Sequence, residues 1–357
     1  MEVTAQTAVT DLPSARQMAG QTAGVPAHIQ LIEMAVPIWR ARAVYAAAEL
    51  RLPDLLATGP RTAEDLARAT GTHAPSLYRL LRALASCGIL SESESRRFAL
   101  TRLGEALESS APGAAHATIL TLGGQWQWQA WAKFRHSLET GEPALGAVFG
   151  QRLFDYLVQN PEEGSLFNEA MVGMHGAVGA AVTTAYDFSH FRSLVDLGGG
   201  TGALLSAVLK AFPALTGTLF ELPETAAQAG RTIEETQLSS RCSVVTGNFF
   251  HSVPQGHEAY VLSHVLHDWN DNEAKIILRN CRRAIAPSGR LLIIETVLPS
   301  GDTPHHGKLL DLLMLTVTGG QERTAAEFDI LLEVAGFKLT RVIPTATHDS
   351  IVEAIPA

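Results

Sequence analysis

The chain has 357 residues, 46% hydrophobic and 18% charged, which is more than one domain usually holds and enough apolar material for two cores. A formal net charge of -9 argues against nucleic acid or an anionic membrane surface as a partner bound through bulk charge, and suits a neutral or cationic small ligand. Cys87, Cys242 and Cys281 have no paired spacing, which excludes a disulfide framework or zinc ribbon and predicts a cytoplasmic protein.

Residues 1–27 are rich in Ala, Thr and Gln and lack an apolar core behind basic residues, so they read as a flexible tail. No later run approaches the roughly 20 apolar residues that span a bilayer. Residues 28–115 form the first expected domain. From Ile29 to about Leu107 apolar residues recur at helical spacing through Ile32, Val36, Ala43, Ala46 and Leu50. Thr62 caps a short helix with the first-turn acids Glu64 and Asp65, and Gly71 closes it. A second helix is expected over His73 to Leu84, and Ile89-Leu90 with Phe98-Ala99-Leu100 flank a polar stretch as a two-strand wing. Helix, turn, helix and wing make a winged-helix unit. Such a unit can read DNA, but its second helix offers only Arg79 and Arg82, and Glu92 and Glu94 sit on the wing. A packing or dimerisation module fits the residues better.

Residues 116–190 keep the helical period and gather large side chains, among them Trp126, Trp131, Phe154, Phe167, Met171 and Met174. Most such stripes are core, and a minority line pockets. Pro143, Gly146, Pro161 and Gly164 punctuate the segment, which reads as a connector between two bodies.

Residues 191–357 change period to short apolar runs alternating with amphipathic helices. Candidate strands are Ser193–Leu197, Gly217–Glu221, Ser243–Thr246, Ala259–Ser263, Arg290–Thr296, Lys338–Ile343 and Ile351–Ala354. The alternation predicts an α/β, Rossmann-like doubly wound sheet, mainly parallel. Asp196-Leu197-Gly198-Gly199-Gly200-Thr201-Gly202 follows the first of these strands and precedes a helix, the context of a nucleotide-binding turn. Gly198, Gly200 and Ala203 also satisfy the loose dinucleotide pattern, which leaves NAD open here. Glu221, at the end of the next strand, can accept both ribose hydroxyls of a bound adenosine. His264, His267, Asp268 and Asp271 could be read as metal ligands, but no third ligand cluster has convincing spacing.

Three later segments discriminate. Tyr260-Val261-Leu262-Ser263-His264-Val265-Leu266-His267-Asp268-Trp269, then Ile293-Ile294-Glu295-Thr296, then Gly319-Gly320-Gln321-Glu322-Arg323-Thr324 resemble signature segments of the plant caffeate-type and bacterial natural-product O-methyltransferases. The resemblance runs from about Ile29 to the end of the chain. It implies S-adenosylmethionine as cofactor, S-adenosylhomocysteine as product, and a small hydroxylated aromatic as acceptor, with no metal. It implies that His267 is the general base and that Glu295 and Glu322 orient its imidazole and stabilise the charged form. Asp196, Gly198, Gly199, Gly200 and Gly202 would surround the amino-acid part of the cofactor, Glu221 the ribose, and Asn248 with Phe249 the adenine. Many relatives carry Asp where Asn248 stands, and Ser263 replaces the Lys of plant relatives. Met171, Met174 and Asp268 would border the acceptor. A homodimer is implied, the partner's N-terminal segment closing the pocket. Other members of the fold use the same cofactor for hydroxylation or rearrangement, and a winged-helix regulator is the non-enzyme alternative.

Overall fold

The structure, a computed structural model, describes residues 25–357. The tail expected over residues 1–27 therefore lies, up to residue 24, outside the described residues. The chain divides into two compact units. A helical unit runs up to Ala132 and takes in Phe154–Gly176, and a sheet unit comprises Lys133–Leu153 and Ala177–Ala357. The segment read as a connector, residues 116–190, is thus shared between the units.

In the helical unit, the helices Ala27–Ala35 and Pro37–Glu49 lead into Leu52–Leu56. The Thr62 side chain accepts the Asp65 N–H at 3.2 Å and starts the helix Ala63–Thr70, which Gly71 ends at φ 68°. The next helix, Ala74–Ser86, buries Leu77, Leu81 and Leu84 and leaves Arg79 and Arg82 exposed. Strand β1 (Arg61–Thr62) precedes this pair of helices, and β2 (Leu90–Glu92) and β3 (Arg97–Leu100) follow it. The wing has three strands in the order β1-β3-β2 rather than two. Two polar residues carry no alternation of their own, so β1 is defined only by pairing with Phe98 and Arg97. Phe98 is fully buried against Leu52, Leu66 and Leu81.

The sheet unit contains β4 (Ser193–Leu197), β5 (Thr216–Glu221), β6 (Cys242–Thr246), β7 (Ala259–Ser263), β8 (Arg290–Leu298), β9 (Arg323–Thr324), β10 (Phe337–Pro344) and β11 (Asp349–Pro356). Their order is β10-β11-β8-β7-β4-β5-β6, with β9 paired to the end of β8. Strands β8, β7, β4, β5 and β6 are parallel, and β11 is antiparallel to both neighbours. Both faces are apolar, as in a doubly wound sheet. Val195, Tyr260, Leu262, Leu291 and Ile293 pack with Ile277, Leu278 and Phe328 on one side, while Leu194, Val261, Leu292 and Ile294 pack with Val182, Val208 and Leu209 on the other. The chain winds from β4 through β5 to β6, then crosses back to β7 and β8. The carboxyl ends of β4 and β7 therefore flank the point where the winding direction reverses, the usual place for a ligand in such sheets.

A polar cluster fastens the antiparallel edge. Glu353 of β11 accepts from Tyr186 Oη at 2.6 Å, Thr340 Oγ1 at 2.7 Å, and Arg341 through Nε at 3.1 Å and Nη2 at 3.0 Å. Burial opposes the charge of Glu353, but these donors win and hold its pKa down to about 2. Since the folded pKa is depressed, the cluster stabilises the protein fully above about pH 4.5, the unfolded carboxylate range, and loses that contribution as pH falls toward 2. Tyr186→Phe is expected to lower stability by about 1 kcal/mol at neutral pH. The loss should shrink on acidification, as read by urea unfolding at several pH values.

Candidate active site

One half of the site is the loop after β4. The chain turns through Gly198 at φ 67°, Gly200 at 56° and Gly202 at 81°, backbone conformations that strain any side chain. The Gly198 N–H donates to the Phe220 carbonyl at 2.8 Å, which stitches the loop to β5 before the helix Ala203–Ala211 starts. A Cβ at Gly199 would strike the Asp196 carboxylate at 2.6 Å, whereas one at Gly200 would meet only open space. Glu221, at the end of β5, accepts the Gly200 N–H at 3.1 Å and the Leu222 N–H at 2.8 Å. Asp196 is 1% exposed, and neither of its oxygens has a hydrogen-bond partner among the described residues. Burial, with a second push from the charge of Glu221, raises its pKa to about 7.

Asn248 follows β6, and its Oδ1 accepts the Phe250 N–H at 2.8 Å. The side-chain oxygen of this residue, expected beside the adenine, thus already accepts from the backbone. Phe249, Phe250 and Trp269 pack edge to face, and the Asn280 amide donates to the Phe249 carbonyl at 2.6 Å.

The other half begins where β7 ends at Ser263. His264 takes φ 53°, its Nδ1 lying 3.2 Å from Ser263 Oγ and its Nε2 3.1 Å from Asp349 Oδ1. After this corner Leu266–Asp268 form a single 3-10 turn. One oxygen of Glu295, in β8, accepts the N–H groups of Val265 at 3.2 Å and His267 at 3.1 Å. Burial pushes the pKa of Glu295 up. Glu322, held beside β8 by the pairing of Arg323 with Val297, places Oε1 2.8 Å from His267 Nδ1. Nε2 of the same ring lies 4.0 Å from Asp268 Oδ1. Burial works against a proton on His267, but Asp268, Glu322 and Glu295 overcome it and raise the pKa to about 10. Asp268 is itself pushed up to about 6 by burial, against the pull of His267.

The structure thus gathers His267, Glu322, Glu295, Asp268 and Ser263 at one turn and Asp196, Gly198, Gly199, Gly200, Gly202 and Glu221 at a neighbouring loop. The two meet at Gly198, where a Cβ would lie 3.1 Å from Val265 and 3.4 Å from Phe249. Of the two glutamates, only Glu322 bonds to the imidazole, and Glu295 acts on the backbone that carries it. Met171 and Met174 lie on the helix Pro161–His175 of the helical unit, half-buried and 42% exposed. His264 and His267 turn to different carboxylates, and no group of three or more metal-ligating side chains forms among the described residues.

Neither Gly320 nor Arg323 carries a local signal in the sequence that marks a role. A Cβ at Gly320 would sit 1.9 Å from the His267 carbonyl oxygen, so only glycine lets this segment lie on the turn. Arg323 is 1% exposed yet charged, a combination visible only in three dimensions. Arg152, which stacks 4.9 Å over the Trp269 ring and pairs with Glu273 at 2.6 Å, had no local signal either.

Residues 131–338 match the family model of the O-methyltransferase domain and residues 32–110 that of the O-methyltransferase dimerisation domain. With the loop at the sheet's reversal point and the carboxylate-held histidine beside it, the chain belongs to the S-adenosylmethionine-dependent O-methyltransferases. Among its relatives, the phenazine O-methyltransferase PhzM of Lysobacter antibioticus is 45% identical over 332 residues, covering 93% of this chain and 97% of that one. The mitomycin biosynthesis 6-O-methyltransferase of Streptomyces lavendulae is 39% identical, covering 86% and 88%. The structure of the O-methyltransferase NcsB1 from neocarzinostatin biosynthesis, in complex with S-adenosylmethionine and 2-hydroxy-5-methyl naphthoic acid, superposes with TM-score 0.79 at 36% identity, covering 89% and 96%. The aclacinomycin 10-hydroxylase RdmB of Streptomyces purpurascens is also similar, 36% identical over 83% of this chain and 81% of its own.

Asp196 carries a further consequence. Its folded pKa is raised, so the protonated acid favours folding at low pH, and that advantage is lost between about pH 4 and 7. Asp196→Asn should raise the stability of the ligand-free protein at about pH 8 by on the order of 2 kcal/mol and flatten its pH dependence below 7. Urea unfolding at pH values on either side of this window tests it. A variant no more stable than the parent at the higher pH contradicts the burial of an unpaired charge.

Proposed function

We propose that the enzyme moves the methyl group of S-adenosylmethionine onto a hydroxyl of a small aromatic acceptor, with His267 as the base. The observation that carries this reading is the 2.8 Å contact between His267 Nδ1 and Glu322, which fixes the ring's donor nitrogen and leaves Nε2 to receive a proton. An unperturbed imidazole near pKa 6.5 is about 3.5 units too weak for a phenol near 10, a gap of about 5 kcal/mol. With its pKa raised to about 10, His267 closes that gap. The phenazine, mitomycin and naphthoate chemistry named for the relatives supports an aromatic acceptor.

The residues fit the cofactor. Gly199 has no room for a side chain and Gly200 faces open space, so a ligand can approach the backbone there, and the unpaired carboxylate of Asp196 behind the loop suits a cationic ligand. Glu221 would exchange its bonds to Gly200 and Leu222 for the ribose hydroxyls. Asn248 and Phe249 would border the adenine and Ser263 the remaining edge, while Asp268 would contact the acceptor. Bound there, S-adenosylmethionine supplies an electrophilic sulfonium methyl. His267 Nε2 takes the hydroxyl proton, Glu322 steadies the imidazolium, and Glu295 keeps the turn from swinging.

A homodimer completes the proposal. The helix Ala27–Ala35 buries none of its residues, and Leu31, Ile32, Met34, Ile38 and Trp39 are all at least 48% exposed, an apolar surface inside a region that includes the dimerisation-domain match. Cys87, Cys242 and Cys281 are unpaired, which supports a cytoplasmic setting.

His267→Ala should cut turnover roughly 10²- to 10⁴-fold with S-adenosylhomocysteine affinity unchanged within about threefold, and full turnover would remove His267 from the role. A product lacking the added methyl in mass analysis would favour the hydroxylating alternative that RdmB represents. Because the base works only unprotonated, kcat/KM should rise about tenfold per unit between roughly pH 7 and 9.5, and Glu322→Gln should move that rise to lower pH. Light scattering at micromolar concentration should return twice the mass of the chain.

A further inference from the structure

The Arg323 guanidinium is buried at the root of the catalytic turn, and all five of its N–H donors are used. Nη1 donates to the Leu266 carbonyl at 3.1 Å and the Gln321 carbonyl at 3.3 Å. Nη2 donates to the Trp269 carbonyl at 2.9 Å and to Asp271 Oδ1 at 3.0 Å, and Nε reaches the same carboxylate oxygen at 3.2 Å. Leu266 and Trp269 are the residues on either side of His267-Asp268. A planar fork that grips both carbonyls fixes their separation, and with it the direction in which the two side chains between them leave the backbone.

The neighbours of Arg323 act on the same turn. The Gln321 N–H donates to the His267 carbonyl at 2.9 Å, and Glu322 holds the ring at Nδ1. One continuous segment therefore sets both the ring and its backbone. A merely structural arginine would need only its pairing with Asp271, at the start of the helix Asp271–Ala284; Asp271 is half exposed, and the contacts to Leu266 and Trp269 do not depend on it.

We propose that Arg323 is a positioning residue for methyl transfer, acting through His267 by locking the backbone on both sides of it. This rests on His267 as the base. A lysine at the same place keeps the charge but cannot grip two carbonyls and a carboxylate at once.

The test uses full-length enzyme labelled with ¹⁵N-histidine and saturated with S-adenosylhomocysteine, the His267 signals being assigned by their absence in His267→Ala. The parent should show a slowly exchanging, downfield Nδ1–H proton on His267. Arg323→Lys should exchange that proton roughly tenfold faster or more while the affinity for S-adenosylhomocysteine stays within about threefold, and Asp271→Asn should leave it as in the parent. An unchanged Nδ1–H signal in Arg323→Lys, or its loss only together with cofactor affinity, overturns the proposal. Turnover gives a second reading. Arg323→Lys alone should cost roughly 10- to 100-fold, and combined with His267→Ala it should cost nothing beyond His267→Ala. Additive losses overturn the proposal. Full activity in His267→Ala instead refutes the base assignment, which the resonance of the ring proton does not depend on.

Discussion

A buried imidazole bonded to a buried carboxylate is costly unless everything around it is arranged for it, and the 2.8 Å contact of His267 with Glu322 imposes that arrangement on the sheet unit. Desolvation alone would strip the proton from His267, and Asp268, Glu322 and Glu295 supply the negative charge that keeps it there. Three acids so close would repel one another. Arg323, equally buried, brings positive charge to the same place and anchors itself on the main-chain carbonyls of Leu266 and Trp269. The parallel strands make this possible, because β7 and β8 end side by side and deliver the turn and Glu295 at the same edge.

The glycine loop solves an opposite problem. There a carboxylate, Asp196, is buried with no hydrogen-bond partner among the described residues, and the loop in front is kept thin by glycines at positive φ. Such a loop is poor at holding itself and good at accepting something else. Glu221 illustrates this, since in the structure its oxygens close the loop by taking the Gly200 and Leu222 N–H groups.

Much of this was legible in the sequence, because the signals were local or periodic. The central strands of the doubly wound sheet announced themselves as runs apolar on both faces, and the capped helix at Thr62 carried its own start and stop. His267, Glu295 and Glu322 were readable through resemblance, although not the division of labour between the two glutamates, which depends on which of them reaches the ring. Strands β1 and β9 stayed hidden because two-residue strands have no period. The sharing of residues 116–190 between two units was equally invisible, since helical periodicity is indifferent to which body a helix packs in. Arg323 was written in the sequence as an ordinary cation, and nothing short of a folded chain distinguishes it from the arginines that face water.

Strand β9 sets a limit on how such an enzyme can change. Its two residues pair with Val297 and Leu298, and side chains along a strand alternate in direction. Slipping this pairing by one residue would bring either Gln321 or Arg323 into the place of Glu322, setting a neutral amide or a guanidinium against the imidazole. A single inserted or deleted codon in this stretch would thus take the carboxylate away from the imidazole altogether rather than merely loosen its contact. Lineages that diversify by loop-length variation must do so elsewhere in the chain.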